Sequence, residues 1–293
     1  MPVGARSPDS FRLASFLEAS LKMIRVHQLS KIYTDWQQGD SIALNAISFD
    51  AKRGEIYGLL GTNGAGKTTA LRILATVLAP SSGNATIDGC DVVKDSALVR
   101  QKIGFVSSNT AIYDRMTAWE LVTYFGRLHG LDPELLRDRM EGLFTQLEMH
   151  DFRDVLGAKM SSGMKQKTSI ARALIHDPPV LIFDEATVGL DVLAGRSLLD
   201  TVCTLRDQGK CIVFSTHIMR EAERLCDKVA ILHRGRFLAE GNWRDQAQEH
   251  GHVDLEELFF ELIREDRSVH SSDSPRASSD SETTVSVASG GLT

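Results

Sequence analysis

Four short apolar runs punctuate the chain: Ile56–Leu60, Ile103–Val106, Val180–Phe183 and Cys211–Ser215. Each is nearly continuous rather than alternating, which is the pattern of a strand covered on both faces, and together they predict the sheet of an α/β core. Val229–Leu232 and Phe237–Ala239, joined across Arg234-Gly235-Arg236, predict a hairpin, and Met23–Leu29 predicts a further strand. From 108 to about 170 no strand pattern occurs; helix formers dominate, and Pro133 opens one helix at its first turn. This predicts a helical lobe inserted into the core. Leu255, Leu258, Phe259, Leu262 and Ile263 fall at i, i+3, i+4, i+7 and i+8, one apolar helical face expected to pack onto the domain. No internal repeat is visible.

The two ends change character. Ser268 to Thr293 holds nine serines in 26 residues, and so little apolar surface cannot offset the entropy of ordering, so a disordered tail is expected. The first 22 residues carry Arg6, Arg12 and Glu18 where a signal peptide would need an unbroken apolar stretch, and read as a flexible extension, with a short amphipathic helix as the competing reading. Translation beginning at Met23 is a further expectation.

Length and composition narrow the classes. A chain of 293 residues with 42% hydrophobic and 25% charged residues is ordinary globular material, sized for two domains or one with an inserted lobe. A net charge of −6 argues against a protein whose task is coating nucleic acid. No apolar run reaches the roughly 18 residues that would span a bilayer. Four cysteines without paired spacing fit a reduced, cytoplasmic setting.

Candidate chemistry begins directly after the first buried run. Gly61-Thr62-Asn63-Gly64-Ala65-Gly66-Lys67-Thr68-Thr69 lies between a strand and a helical stretch, the setting of a phosphate-cradling loop. Its glycines let backbone N–H groups face inward and the helix start adds partial positive charge. Lys67 is placed to reach the β- and γ-phosphates and Thr68 to hold Mg²⁺. By itself the loop says only that a nucleoside triphosphate binds; kinases, GTPases, DNA motors and transporters all carry it. The third run ends in Asp184 and Glu185, acids at the edge of a parallel sheet where ligands bind. Asp184 is expected to orient Mg²⁺ and Glu185 to polarise the attacking water. Ser161-Ser162-Gly163 opens a helix whose N-terminus is a second anion site, although a plain helix cap explains those serines equally well.

The order of these motifs, continued by Gly189-Leu190-Asp191 and Ser215-Thr216-His217, resembles the ATP-binding subunit of ABC transporters over roughly Met23 to Gly241. The resemblance implies a P-loop NTPase core with an antiparallel β subdomain and an inserted helical subdomain (about 108–170) within an ATPase domain spanning 23–245. An amphipathic helix at 246–266 and a tail at 267–293 would follow. It implies ATP and Mg²⁺ as cofactors, and two such domains packed head to tail, as a homodimer or heterodimer. Ser161, Ser162 and Gly163 would touch the γ-phosphate bound by the other subunit, Asp191 would cross the interface, and His217 would contact the γ-phosphate and steady Glu185. Tyr33 matches the aromatic that stacks on adenine, with Trp36 as its rival. Ser108 falls where the family usually has glutamine and would reach Mg²⁺ through water; Met164 and Ala186 also depart from the pattern, which puts coupling rather than hydrolysis in question.

Ala111 to Leu121 reads as a helical segment, and the same resemblance implies a separate transmembrane permease docking there as partner, with membrane contact only through it, at the cytoplasmic face of the cell membrane. No nucleic-acid partner is expected. Tyr113–Thr117 and Ser162–Lys167 look like the export branch that includes sodium-extruding and multidrug systems. DNA-repair, translation-associated and regulatory cassettes share the nucleotide chemistry and are the alternatives.

Overall fold

The computed structural model describes residues 21–35, 39–108 and 111–272. The extension up to residue 20, Trp36, and the serine-rich segment from 273 lie outside the described residues.

Two sheets carry the fold. One is antiparallel, in the order β2 (Gly39–Lys52), β1 (Lys22–Asp35), β4 (Ser82–Ile87), β5 (Cys90–Asp91). The other has six strands in the order β10 (Arg236–Gly241), β9 (Lys228–His233), β3 (Ile56–Leu60), β8 (Cys211–Thr216), β7 (Val180–Asp184), β6 (Ile103–Ser107). Neighbours from β9 to β6 run parallel, and β10 closes the edge as the antiparallel arm of a hairpin.

The side chains of the parallel strands explain why their sequences are continuous apolar runs. Alternate residues enter two different cores: Ile56, Leu60, Leu181, Phe183, Ile212 and Phe214 point into one. Tyr57, Leu59, Val180, Ile182, Cys211 and Val213 point into the other. The second core also takes Leu71, Ile73 and Leu74 of helix α1 (Lys67–Leu74) and the inner face of the antiparallel sheet. Polar groups enter these strands only with partners: the buried Tyr57 hydroxyl of β3 donates to Glu240 at 2.9 Å, and Ser215 of β8 donates to Asp184 of β7 at 2.9 Å.

The first core binds the helical lobe. After α2 (Ser96–Lys102) and β6 come α3 (Ala118–Leu128), α4 (Pro133–Gln146), two short 3₁₀ turns and α5 (Ser162–Leu174). The lobe packs through Val122, Leu136, Met140 and Phe144, buried with Ile170 and Leu174 of α5. One expectation is corrected here. The stretch from Ala111 to Leu121 is helical only from Ala118, because Thr117 accepts a hydrogen bond from the Glu120 N–H while Glu120 accepts one from Thr117 N–H, a capping box that starts the helix there. Pro133 does open α4, capped by Asp132.

At the end of α5, His176 stacks on His129 with ring centroids 3.7 Å apart, and its Nε2–H donates to the Ile103 carbonyl at 3.0 Å. Burial first, and then the neighbouring His129, pull the His176 pKa down to about 4. The unfolded chain protonates this imidazole near its ordinary value, whereas the folded one resists until about pH 4. Stability contributed by the neutral ring is therefore complete above pH ~6.5 and lost as pH falls towards 4, on the order of 2 kcal/mol given its partial contact with solvent. Urea midpoints at pH 7.5 and pH 5 should differ less for His176→Phe than for wild type; an equal drop in both would remove His176 from the acid response.

Two helices follow α6 (Val192–Asp207), α7 (Met219–Leu225) and the hairpin: α8 (Trp243–Glu249) and α9 (Leu255–Ser272). They replace the single helix expected at 246–266. Gly251, at φ +75°, turns the chain between them, and α9 runs on into the serine-rich composition. Leu255, Leu258, Phe259, Leu262 and Ile263 are buried against the first core.

Candidate functional site

The C-terminal ends of β3, β7 and β8 lie side by side, and each delivers part of the site. Loop 61–66 leaves β3 and enters α1 at Gly66, whose φ of +112° and approach to a neighbouring carbonyl admit no side chain: a Cβ would sit 2.4 Å from the Ala43 oxygen. Gly61 is as confined, its Cβ position 2.4 Å from the Leu232 oxygen. Gly235 N–H donates to the Ala65 carbonyl at 2.9 Å, tying the loop to the β9–β10 turn. Among the described residues no side chain caps α1, and no acid stands in its first turn, so its electropositive start is left for an anion.

Lys67 is only 3% exposed. Its ammonium donates to the carbonyls of Gly61 at 2.7 Å and Thr62 at 3.1 Å, and lies 3.1 Å from the Glu185 carboxylate. Two N–H groups are thus spent on the loop's own carbonyls, and the charge is paired with Glu185. The same Glu185 oxygen stands 3.6 Å from His217 Nδ1. A cation, a carboxylate and an imidazole thus form a line from the floor of the loop to the end of β8.

Glu185 holds this position in a conformation that non-glycine residues avoid, with φ of +49°. Its N–H is clamped by Ser215, 3.2 Å from the carbonyl and 3.1 Å from the hydroxyl, which over-determines the strained backbone. Ser215 Oγ in turn donates to Asp184 Oδ1 at 2.9 Å, and Thr68 Oγ1 donates to the same oxygen at 3.2 Å. Ser215 is fully buried and escaped the sequence reading as a functional residue; its signal was a hydroxyl inside an apolar run directly before Thr216-His217. Thr216 braces that end, donating to Glu221 at 2.6 Å and accepting from Ile218 N–H at 3.0 Å.

The residue pair fits a divalent cation. Magnesium takes oxygen ligands at about 2.1 Å in an octahedron, which places adjacent ligands roughly 3 Å apart. Thr68 Oγ1 and Asp184 Oδ1, 3.2 Å apart, have that spacing and that donor chemistry. Ser108 is exposed at the end of β6, its N–H 3.2 Å from the Asp184 carbonyl.

The remaining sequence-selected residues lie apart from this cluster. Ser161 caps α5, accepting from Met164 N–H at 3.2 Å, and Asp191 caps α6, accepting from Leu193 and Ala194 N–H at 3.0 and 2.9 Å. The two caps are neighbours, since a Cβ on Gly163 would stand 3.3 Å from Ala194 Cβ. Tyr33, 42% exposed near the end of β1, has the Lys31 ammonium 5.4 Å from its ring centroid. Among the described residues, Ser161–Gly163, Asp191 and Tyr33 share no hydrogen bond with loop 61–69.

Comparisons with known proteins give the family. A family model described as ABC transporter matches residues 44–188. The ABC transporter ATP-binding protein NatA of Bacillus subtilis is 42% identical over 224 residues, covering 76% of this chain and 91% of that one. The Nod factor export ATP-binding protein I of a Rhizobium species is 37% identical over 221 residues, covering 75% and 73%. A dimeric ATP-binding cassette solved in a post-hydrolysis state with ADP and phosphate superposes with a TM-score of 0.67 at 27% identity, covering 75% of this chain and 98% of that one. The loop, the acid-ended strand and the histidine thus sit on a recognised scaffold: the chain belongs to the ABC transporter family, as an ATP-binding subunit that hydrolyses ATP.

Proposed function

We propose that this chain powers export through a separate transmembrane permease, closing on MgATP as a head-to-tail dimer and reopening after hydrolysis. The observation that carries the chemistry is the line Lys67–Glu185–His217 beside Asp184. An incoming γ-phosphate competes with the Glu185 carboxylate for the Lys67 ammonium. Glu185, displaced from that ion pair, accepts the proton of the attacking water. His217 holds the carboxylate in place and donates towards the γ-phosphate. Thr68 and Asp184 would hold Mg²⁺, with Ser108 reaching it through water, and the ion would supply neutralisation of the phosphate charge. Across the dimer, Ser161, Ser162 and Gly163 of one copy cover the γ-phosphate held by the other, and Asp191 lies at the contact. Tyr33 offers its exposed ring to adenine.

Coupling needs a surface for the permease. Among the described residues no helix is long and apolar enough to cross a membrane. A groove of about 490 Å³ runs between α2 and the C-terminal end of α3, in the same lobe as Ala111–Leu121 but not lined by that segment. Exposed Val77 and Leu128 rim it, Phe105 and Phe125 line it, Arg100 and Arg172 charge it, and among the described residues no carboxylate lines it. His176, neutral near pH 7, adds no charge. Such a groove suits an apolar, acidic cytoplasmic segment of the permease. Export is the direction favoured by the Nod factor export relatives. The cargo, a sodium ion or a drug-like molecule, is selected in the other polypeptide. The test is copurification of the chain with a multispan membrane protein from native membranes. Leu128→Asp should abolish copurification from membranes while the purified chain keeps its basal ATP turnover. Retained copurification would rule out the groove as docking site, and absence of ATP turnover in wild type would overturn the catalytic assignment.

A further inference from the structure

A cavity of about 630 Å³ beside the phosphate loop is distinct from the phosphate cradle. It meets the loop only at Gly61–Asn63, and its other walls are His217–Arg220 and one face of α9. From α9 it takes Phe259, buried, and Phe260, 52% exposed; Ile218 and Met219 complete an apolar lining, and Glu256 and Arg220 provide the charges. A large aromatic side chain, Phe260, left open to water beside a nucleotide site calls for an occupant.

The same molecule carries a fitting one elsewhere. Val192 and Leu193, at the first turn of α6, are 88% and 80% exposed, although they belong to a helix whose other face is core. Arg196, exposed, stands one turn further on. A chain cannot cover both its cavity and its own α6 tip by folding alone, but two copies in head-to-tail arrangement can cover both at once. We propose that Val192 and Leu193 of one copy insert into the α9-walled cavity of the second copy, with Phe260 as the lid and Arg196 facing Glu256. This rests on the head-to-tail dimer proposed above. Its surface is continuous with that interface, because the cavity shares Gly61–Asn63 and His217 with the nucleotide site and Val192 directly follows Asp191. The consequence is that α9 is part of the dimer grip. A segment outside the phosphate-binding motifs would set how long the ATP-bound state persists.

The test uses full-length Glu185→Gln protein in a Cys90→Ser, Cys203→Ser background, which removes the two partly exposed thiols and leaves the buried Cys211 and Cys226. Protein carrying Leu193→Cys is mixed with protein carrying Phe260→Cys, with MgATP and a short bismaleimide. A crosslinked pair should form only in the mixture and only with ATP. Phe260→Ser, at an exposed position, should weaken the ATP-dependent dimer about tenfold or more in sedimentation, and Leu193→Ser should do the same, with little further loss when both are combined. An ATP-dependent dimer that forms with no crosslink and is indifferent to Phe260→Ser overturns the insertion, leaving the cavity to another occupant such as the permease or the chain's own C-terminal segment. Failure to dimerise with ATP at all overturns the head-to-tail reading itself.

Discussion

Glu185→Gln should abolish turnover while leaving nucleotide binding intact or tightening it. The wild-type carboxylate does two things that the amide cannot. It can accept the proton of the attacking water, a contribution of roughly 10²–10⁴ in rate. It also occupies the Lys67 ammonium at 3.1 Å before the nucleotide arrives. An amide keeps the shape, and its carbonyl oxygen still accepts from Lys67, but without the negative charge it competes far less with a γ-phosphate. The expected result is phosphate release reduced at least 100-fold, an ATP Kd equal to or below that of wild type, and an ATP-dependent dimer that outlasts purification. The strained backbone does not confuse the result, because φ of +49° is held by the Ser215 carbonyl and hydroxyl through the main-chain N–H, which the substitution does not touch. Turnover within tenfold of wild type, by steady-state phosphate release, would move the base elsewhere.

How much of this was legible beforehand depends on how local the signal is. Strands β3, β6, β7 and β8 declared themselves because burial on two faces forces a run of apolar residues that no exposed element needs. The long β1–β2 pair did not, beyond its first few residues. β2 is exposed over Gly39–Ser41, irregular where its register to β1 shifts, and apolar only in part, so its sequence carries no clean period. The helix start at Thr117 was written in the chain as Thr-x-x-Glu and passed over, because the apolar spacing upstream continued through it. Gly251 likewise marked the break between α8 and α9. At the site, the loop, Asp184, Glu185 and His217 were found through motif order. That Lys67, Glu185 and His217 form one line, and that Ser215 joins Asp184 to the Glu185 backbone, are facts about β7 and β8 lying in register, Asp184 opposite Ser215. Register across 31 residues has no local signature. The Gly163–Ala194 approach and the α9 wall of the cavity belong to the same class, being consequences of packing between elements whose sequences are separately unremarkable.

Lys67→Met should be the most damaging single change to nucleotide binding. Methionine matches the length of the lysine stem but has no N–H, and two charge-assisted bonds to phosphate oxygens, each worth about 1.5–3 kcal/mol, disappear together. An ATP Kd raised 100-fold or more follows from that range, read with a fluorescent nucleotide. A second effect separates this site from a generic surface lysine. In the nucleotide-free chain the ammonium satisfies the Gly61 and Thr62 carbonyls and neutralises Glu185 in a place only 3% exposed. The methionine variant leaves those carbonyls without this donor and Glu185 beside an apolar neighbour, so stability should fall by about 1–3 kcal/mol, visible as a lower Tm. Adding Glu185→Gln removes the charge that the variant strands. The double variant should therefore regain part of the lost Tm while regaining none of the ATP affinity, a split that neither a simple packing defect nor a simple loss of charge would produce. If the double variant melts at or below Lys67→Met alone, the Lys67–Glu185 pair does not hold the empty site together.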